Sequence, residues 1–95
     1  LPLFDVVICS EVIQHVIFDD NLIYKIWHYL KPGGTLFLAT RGGDYYPNLG
    51  HVHSYTTAGL HNMLTVQGFL VKENTSVESA LMIRAIKVET GEAVK

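Results

Sequence analysis

Two apolar runs of strand length, Phe4-Asp5-Val6-Val7-Ile8-Cys9 and Thr35-Leu36-Phe37-Leu38-Ala39-Thr40, are separated by one segment with helical spacing. Neither run alternates polar with apolar residues. A continuous apolar strand is covered on both faces, as a parallel strand is between helix layers. Between them Ile23, Ile26, Trp27 and Leu30 fall three and four residues apart, which predicts one buried stripe on a helix over about 20–30. Asp19 or Asp20 is placed to cap that helix, because a carboxylate accepts from backbone N–H groups that have no partner in the first turn. Lys31 suits the negative end of the helix dipole, Pro32 stops the helix, and Gly33-Gly34 reverse the chain into the second strand. The whole is one β-α-β step of a parallel sheet, and the chain begins inside it.

After Thr40 the pattern loosens. Residues 41–50, Arg-Gly-Gly-Asp-Tyr-Tyr-Pro-Asn-Leu-Gly, read as a long loop. His51 to Tyr55 reads equally as a short strand or as more loop. Thr56 or Thr57 caps a second helix that runs to about Val66 with Leu60, Met63 and Leu64 inward, and Gly68 follows as its C-terminal glycine. Phe69 to Glu73 is a third strand, 74–79 a polar connection, and Ala80 to Val88 a fourth strand that returns as an antiparallel hairpin. Met63 and Met82 are expected in the core. Residues 89–95 have little to bury and are expected to fray.

Ninety-five residues, 48% of them apolar, suffice for one small core. The formal net charge is −2 and the seven Lys and Arg residues are scattered, which argues against nucleic acid as a partner. No apolar run approaches the ~20 residues of a membrane span. The single cysteine, Cys9, excludes an internal disulfide and reads as a small buried hydrophobe. A soluble, cytoplasmic setting follows from these features.

The residues quoted above, in this order, resemble the class I S-adenosylmethionine-dependent methyltransferases, and most of all their small-molecule subgroup of the ubiquinone-biosynthesis type. Phe4 to Val16 is similar to that family's fourth strand and the loop after it. Leu30-Lys31-Pro32-Gly33-Gly34-Thr35-Leu36 is similar to the entry of its fifth strand, and Thr56 to Leu60 with Gln67-Gly68-Phe69 to its last helix and sixth strand. The resemblance spans residues 4 to 88. It implies an α/β fold, the C-terminal half of a Rossmann-like methyltransferase sheet: a mixed four-stranded sheet in the order first, second, fourth, third, with the last strand antiparallel. It also implies that 1–95 is a partial methyltransferase domain. The glycine-rich loop and the acidic ribose-binding residue of the family's first two strands have no counterpart in this sequence, since Gly42-Gly43 lacks the G-x-G spacing.

In open α/β sheets ligands lie beyond the carboxyl ends of the strands. Ser10, Glu11 and His15 follow the first strand, and the resemblance places them beside cofactor and substrate. Ser10 and Glu11 are the candidates for cofactor binding. His15 is the candidate catalytic base for a hydroxyl acceptor. Arg41, Asp44, Tyr45 and Tyr46 follow the second strand at the same edge. Tyrosines stack on a flat acceptor, and Arg41 suits a two-pronged contact with an anionic group. With His53 these give the substrate-binding set Arg41, Tyr45, Tyr46 and His53. His51, His53 and His61 raise a metal reading, because H-x-H on a strand puts both rings on one face. No His or Cys cluster at ligand spacing accompanies them, so no metal site is assigned.

The resemblance implies part of an enzyme that moves a methyl group from S-adenosylmethionine to a small-molecule acceptor, the isolated chain binding cofactor weakly or not at all. A catalytically silent remnant serving as a structural or interaction module is the alternative, and an unrelated small α/β binding domain a third reading. An uncovered N-terminal strand edge also predicts self-association, most simply a two-fold homodimer.

Overall fold

The computed structural model describes residues 3–41, 55–77 and 80–88. Strand β1 (Phe4–Ser10) leads through a 3-10 helix (Ile13–His15) to helix α1 (Asp19–Tyr29) and strand β2 (Leu30–Arg41). Helix α2 (Thr57–Val66) precedes strands β3 (Phe69–Val77) and β4 (Ala80–Lys87). The sheet order is β1-β2-β4-β3, with β1 and β2 parallel and β4 antiparallel to both of its neighbours. The expected order and the mixed α/β sheet are therefore observed.

The register sorts the side chains by face, because alternate residues of a strand point to opposite sides. Cys9, Leu38 and Ile83 share one face with Leu36, Ala85 and Leu81. All six are buried, in one cluster with Ile23 and Ile26 of α1 and Leu60 and Leu64 of α2. Both helices thus cover the same side. The other side carries Val6, Ile8, Phe37 and Met82, which are exposed, Ile8 to 73%. Coverage of β1 on both faces, expected from its unbroken apolar run, is not found among the described residues: the crossover helix covers one face, and α2 packs beside it. Met82 is exposed for the same reason, its neighbours Leu81 and Ile83 pointing to the helices.

Three boundaries differ from expectation. Helix α1 starts after Phe18, with Asp19 and Asp20 inside its first turn, where they still oppose the positive end of the helix dipole. Strand β2 begins at Leu30 rather than Thr35. Phe4 pairs with Leu30 and Val6 with Thr35, so Lys31-Pro32-Gly33-Gly34 bulge out of a ladder that continues on either side. Strand β3 extends to Val77, and Asn74, Thr75 and Ser76 pair with Ile83, Met82 and Leu81 instead of forming a polar connection. An edge strand with one open face tolerates such polar residues. A bulge between Val71 and Glu73 changes the face that the later residues present.

Named contacts fix the ends of the helices. Thr56 caps α2 as expected, its Oγ1 accepting from the Gly59 N–H at 3.0 Å. Gly68 closes α2 at φ +99. Its carbonyl accepts from the Trp27 indole N–H at 2.9 Å, and the Lys87 ammonium lies 3.9 Å from the centroid of the same ring.

Candidate functional site

Because β1 and β2 are parallel, Ser10 and Arg41 end at the same edge of the sheet. Arg41 pairs with Ala80 and Ala80 with Val77, so the β3–β4 hairpin end reaches this edge too. Glu11 prolongs the β1 ladder by one bond, its N–H donating to the Ala39 carbonyl at 2.8 Å. It does so at φ +59, a left-handed conformation that is uncommon outside glycine, asparagine and aspartate. Backbone strain of this kind costs on the order of 1 kcal/mol and concentrates where a loop must take one shape, such as a ligand edge.

The structure divides the candidates of the β1–α1 segment between two concavities. Ser10 lines a cleft of about 350 Å³ on the uncovered face, with Ile8, Phe37, Glu73, Met82 and Arg84. Arg84 and Glu73 pair across β3 and β4, Nε donating to Oε1 at 2.8 Å. His15 lines a separate groove of about 440 Å³ with Ile17, Phe18, Leu22 and Lys25. Its placement comes from the 3-10 helix, pinned by Ile13, which is fully buried. Arg41 ends β2, while Tyr45, Tyr46 and His53 lie outside the described residues, as do His51 and Asp44. Among the described residues no group of three or more His, Cys, Asp or Glu side chains is arranged to hold a metal ion.

Cys9 is buried beneath this edge, and burial pushes its thiol above the usual range. It therefore stays protonated and is a poor nucleophile. The reading as a small hydrophobe stands.

One contact at this edge has no local signature in the sequence. The Tyr55 hydroxyl donates to Asp19 Oδ2 at 2.8 Å and lies 3.4 Å from the Ile13 carbonyl oxygen. Burial first, and then the Asp19 carboxylate, hold its pKa far above the ordinary phenol value. The group is thus a proton donor and not a base at any physiological pH. The only hint in the sequence was an aromatic residue with a polar tip immediately before a helix cap.

Comparison with known proteins agrees with this architecture. Residues 3–38 match the family model described as Methyltransferase domain. The mitochondrial ubiquinone biosynthesis O-methyltransferase of Rattus norvegicus is 36% identical over 90 residues, which is 92% of this chain and 26% of the rat protein. The Homo sapiens protein of the same name is 46% identical over 37 residues, 39% of this chain and 10% of its own length. The chain therefore spans about a quarter or less of the curated relatives it matches. Among solved structures, the N-methyltransferase NodS of Bradyrhizobium japonicum WM9, in complex with S-adenosyl-L-homocysteine, superposes with a TM-score of 0.72 at 22% identity over 93% of this chain and 48% of its own. An S-adenosylmethionine-dependent methyltransferase of Mesorhizobium loti gives 0.77 at 15% identity, over 92% and 65%. The cyclase SpnF gives 0.80 at 17%, over 94% and 52%. At these identities the likeness is one of fold.

S-adenosylmethionine presents ribose hydroxyls, an ammonium and a carboxylate. Against these the edge offers the Ser10 hydroxyl and the Glu11 carboxylate, both on exposed residues. They fit one flank of such a molecule. A glycine-rich turn for its methionine end is not in the 95-residue sequence.

Proposed function

We propose that this chain is part of a class I S-adenosylmethionine-dependent methyltransferase and that the whole protein methylates a small-molecule acceptor, on oxygen. The observation that carries this is the 36% identity to the rat O-methyltransferase, which extends over 90 residues and not over one motif. S-adenosylmethionine, when bound, supplies a methyl group already activated by the sulfonium charge. The chain's own residues then have to align the acceptor and keep water out. In this reading Ser10 and Glu11 flank the cofactor. His15 takes the acceptor's hydroxyl proton, and Arg41, Tyr45, Tyr46 and His53 hold the acceptor. An aqueous, reducing compartment suits the buried thiol, and no helix among the described residues is long and apolar enough to cross a membrane. Fold alone would not decide the reaction, since a cyclase has the same architecture.

The test is methyl transfer by the full-length protein, with radiolabelled cofactor and a panel of phenolic and amine acceptors. Label should pass to a hydroxyl. Transfer to nitrogen would move the acceptor class. No transfer by a protein that binds the cofactor would favour the silent module.

We also propose that residues 1–95, taken alone, pair through β1 as a two-fold dimer. In this chain β1 is an edge strand with Phe4, Val6 and Ile8 exposed, and such an edge offers unpaired N–H and C=O groups to another strand. In the full-length protein, preceding polypeptide would compete for the same edge. Ile8→Lys is the informative variant, because Ile8 is solvent-exposed whereas the neighbouring Val7 packs against the core. It should shift sedimentation towards monomer with little change in unfolding, while Glu92→Lys in the tail should do neither. A monodisperse monomer at high micromolar concentration of the unsubstituted chain would rule the dimer out.

A further inference from the structure

We propose that the cleft on the uncovered face of the sheet binds a flat organic monoanion, a carboxylate on an aromatic body, and that Arg84 is the residue that holds the charge. The inference concerns binding and does not rest on the methyl-transfer reading above. The register lays the open face out in rows across the strands. Ile8, Phe37, Arg84 and Glu73 form one row, and Ser10, Ala39, Met82 and Thr75 the next. Ala39 is the small residue at the middle of the second row, between Met82 beside it and Phe37 on its own strand. There the face dips into the cleft of about 350 Å³, within the range of small-molecule sites. Two strand spacings and one two-residue step separate Ser10 from Arg84, about 12 Å, which accommodates a two-ring body.

The chemistry of the lining selects the class of ligand. Ile8, Phe37 and Met82 are exposed on this face, and an aromatic ring gains from contact with the Phe37 ring and the Met82 thioether. Arg84 is the only cation that lines the cleft among the described residues. Its Nε donates to Glu73 Oε1 at 2.8 Å, and the guanidinium makes no other hydrogen bond or ion pair with a described residue. That one bond fixes the plane of the group. It leaves the donors of both terminal nitrogens for a planar, two-pronged partner, which a carboxylate is. One arginine that already faces a carboxylate suits a single negative charge. A phosphate dianion would meet Glu73 with no second cation in the lining to offset it. The pair itself contributes little to the fold, because the Glu73 side chain is 64% exposed, so either partner can be changed without unfolding the protein.

Titration of the full-length protein with 2-naphthoate and its neutral isostere 2-naphthamide tests this. Naphthoate should bind with a Kd of about 1 mM or tighter and shift the methyl NMR signals of Ile8 and Met82. Arg84→Gln should weaken naphthoate at least about tenfold and leave naphthamide within about twofold. Arg84→Lys, which keeps the charge and loses the fork, should fall between wild type and Arg84→Gln. Glu73→Gln keeps an acceptor for Nε and removes a like charge, so naphthoate should bind about threefold more tightly. Ala39→Leu fills the dip and should abolish binding of both compounds, with circular dichroism confirming that the variant is folded; should it unfold, the Arg84 variants alone decide. Ile8 and Met82 methyl signals that do not respond to about 10 mM naphthoate would overturn the site. So would naphthoate binding that survives Arg84→Gln unchanged, or an equal loss of naphthoate and naphthamide in that variant, which would leave Arg84 with no part in holding a charge.

Discussion

Replacing Gly68 with alanine should destabilise the fold by about 2–4 kcal/mol. Two costs combine. At φ +99 an L-residue with a Cβ meets its own backbone, a penalty of roughly 1–2 kcal/mol. The added Cβ would also stand 2.6 Å from Trp27 Nε1 and 3.2 Å from Cε2, closer than such atoms approach. The indole cannot simply swing aside. Its N–H donates to the Gly68 carbonyl at 2.9 Å, and Lys87 holds its other surroundings, with Nζ 3.9 Å from the ring centroid and 2.7 Å from the Leu30 carbonyl oxygen. Moving the ring therefore loosens the junction of α1, α2 and β4 together. Urea unfolding of Gly68→Ala measures the sum, and the same substitution in a Trp27→Leu background separates the parts. There the cost should fall to the backbone share, roughly 1–2 kcal/mol. An equal cost in both backgrounds would show that the indole imposes no constraint on Gly68.

That junction was largely legible in the sequence, and the reason is locality. The stripe Ile23, Ile26, Trp27 and Leu30 repeats every three or four residues, and the glycine after Gln67 marks a helix end whatever surrounds it. Strand runs and their hairpin are local signals of the same kind. The misreadings share a different cause. The apolar run of β1 states what its side chains prefer on both faces, yet only one face meets a helix among the described residues. Asn74, Thr75 and Ser76 look like a connection because polar residues are rare in buried strands, but at an edge they pair with Ile83, Met82 and Leu81 at little cost. Within the candidate site, Ser10 and His15 are five residues apart and face different concavities, which depends on the turn made at Glu11 and the 3-10 helix. Tyr55 was out of reach for a further reason: its partners are Asp19 and Ile13, and no periodicity links residues so distant in sequence. Position relative to the sheet edge, by contrast, followed from topology alone, since parallel β1 and β2 must end on the same side.

Titration of residues 1–95 with S-adenosylmethionine should give no binding tighter than about 1 mM, which is a free energy of only ~4 kcal/mol. In the proposed reading the edge of this sheet offers Ser10 and Glu11, the latter at φ +59, to one flank of the cofactor. Binding a flexible cofactor also costs the freezing of its torsions and the loss of its overall motion, and one flank offsets little of that. The remaining affinity has to come from a glycine-rich turn and an acidic ribose contact, neither of which occurs in these 95 residues. The full-length protein should accordingly bind at least about a thousandfold more tightly, a difference of ~4 kcal/mol. Glu11→Gln in the full-length protein should weaken binding by roughly tenfold, the contribution of one hydrogen bond to a charged group. Calorimetry of both forms checks the argument. A micromolar constant for the 95-residue chain would mean that Ser10, Glu11 and their neighbours form a nearly complete site. Equal weak binding by both forms would mean that the domain as a whole has lost its cofactor.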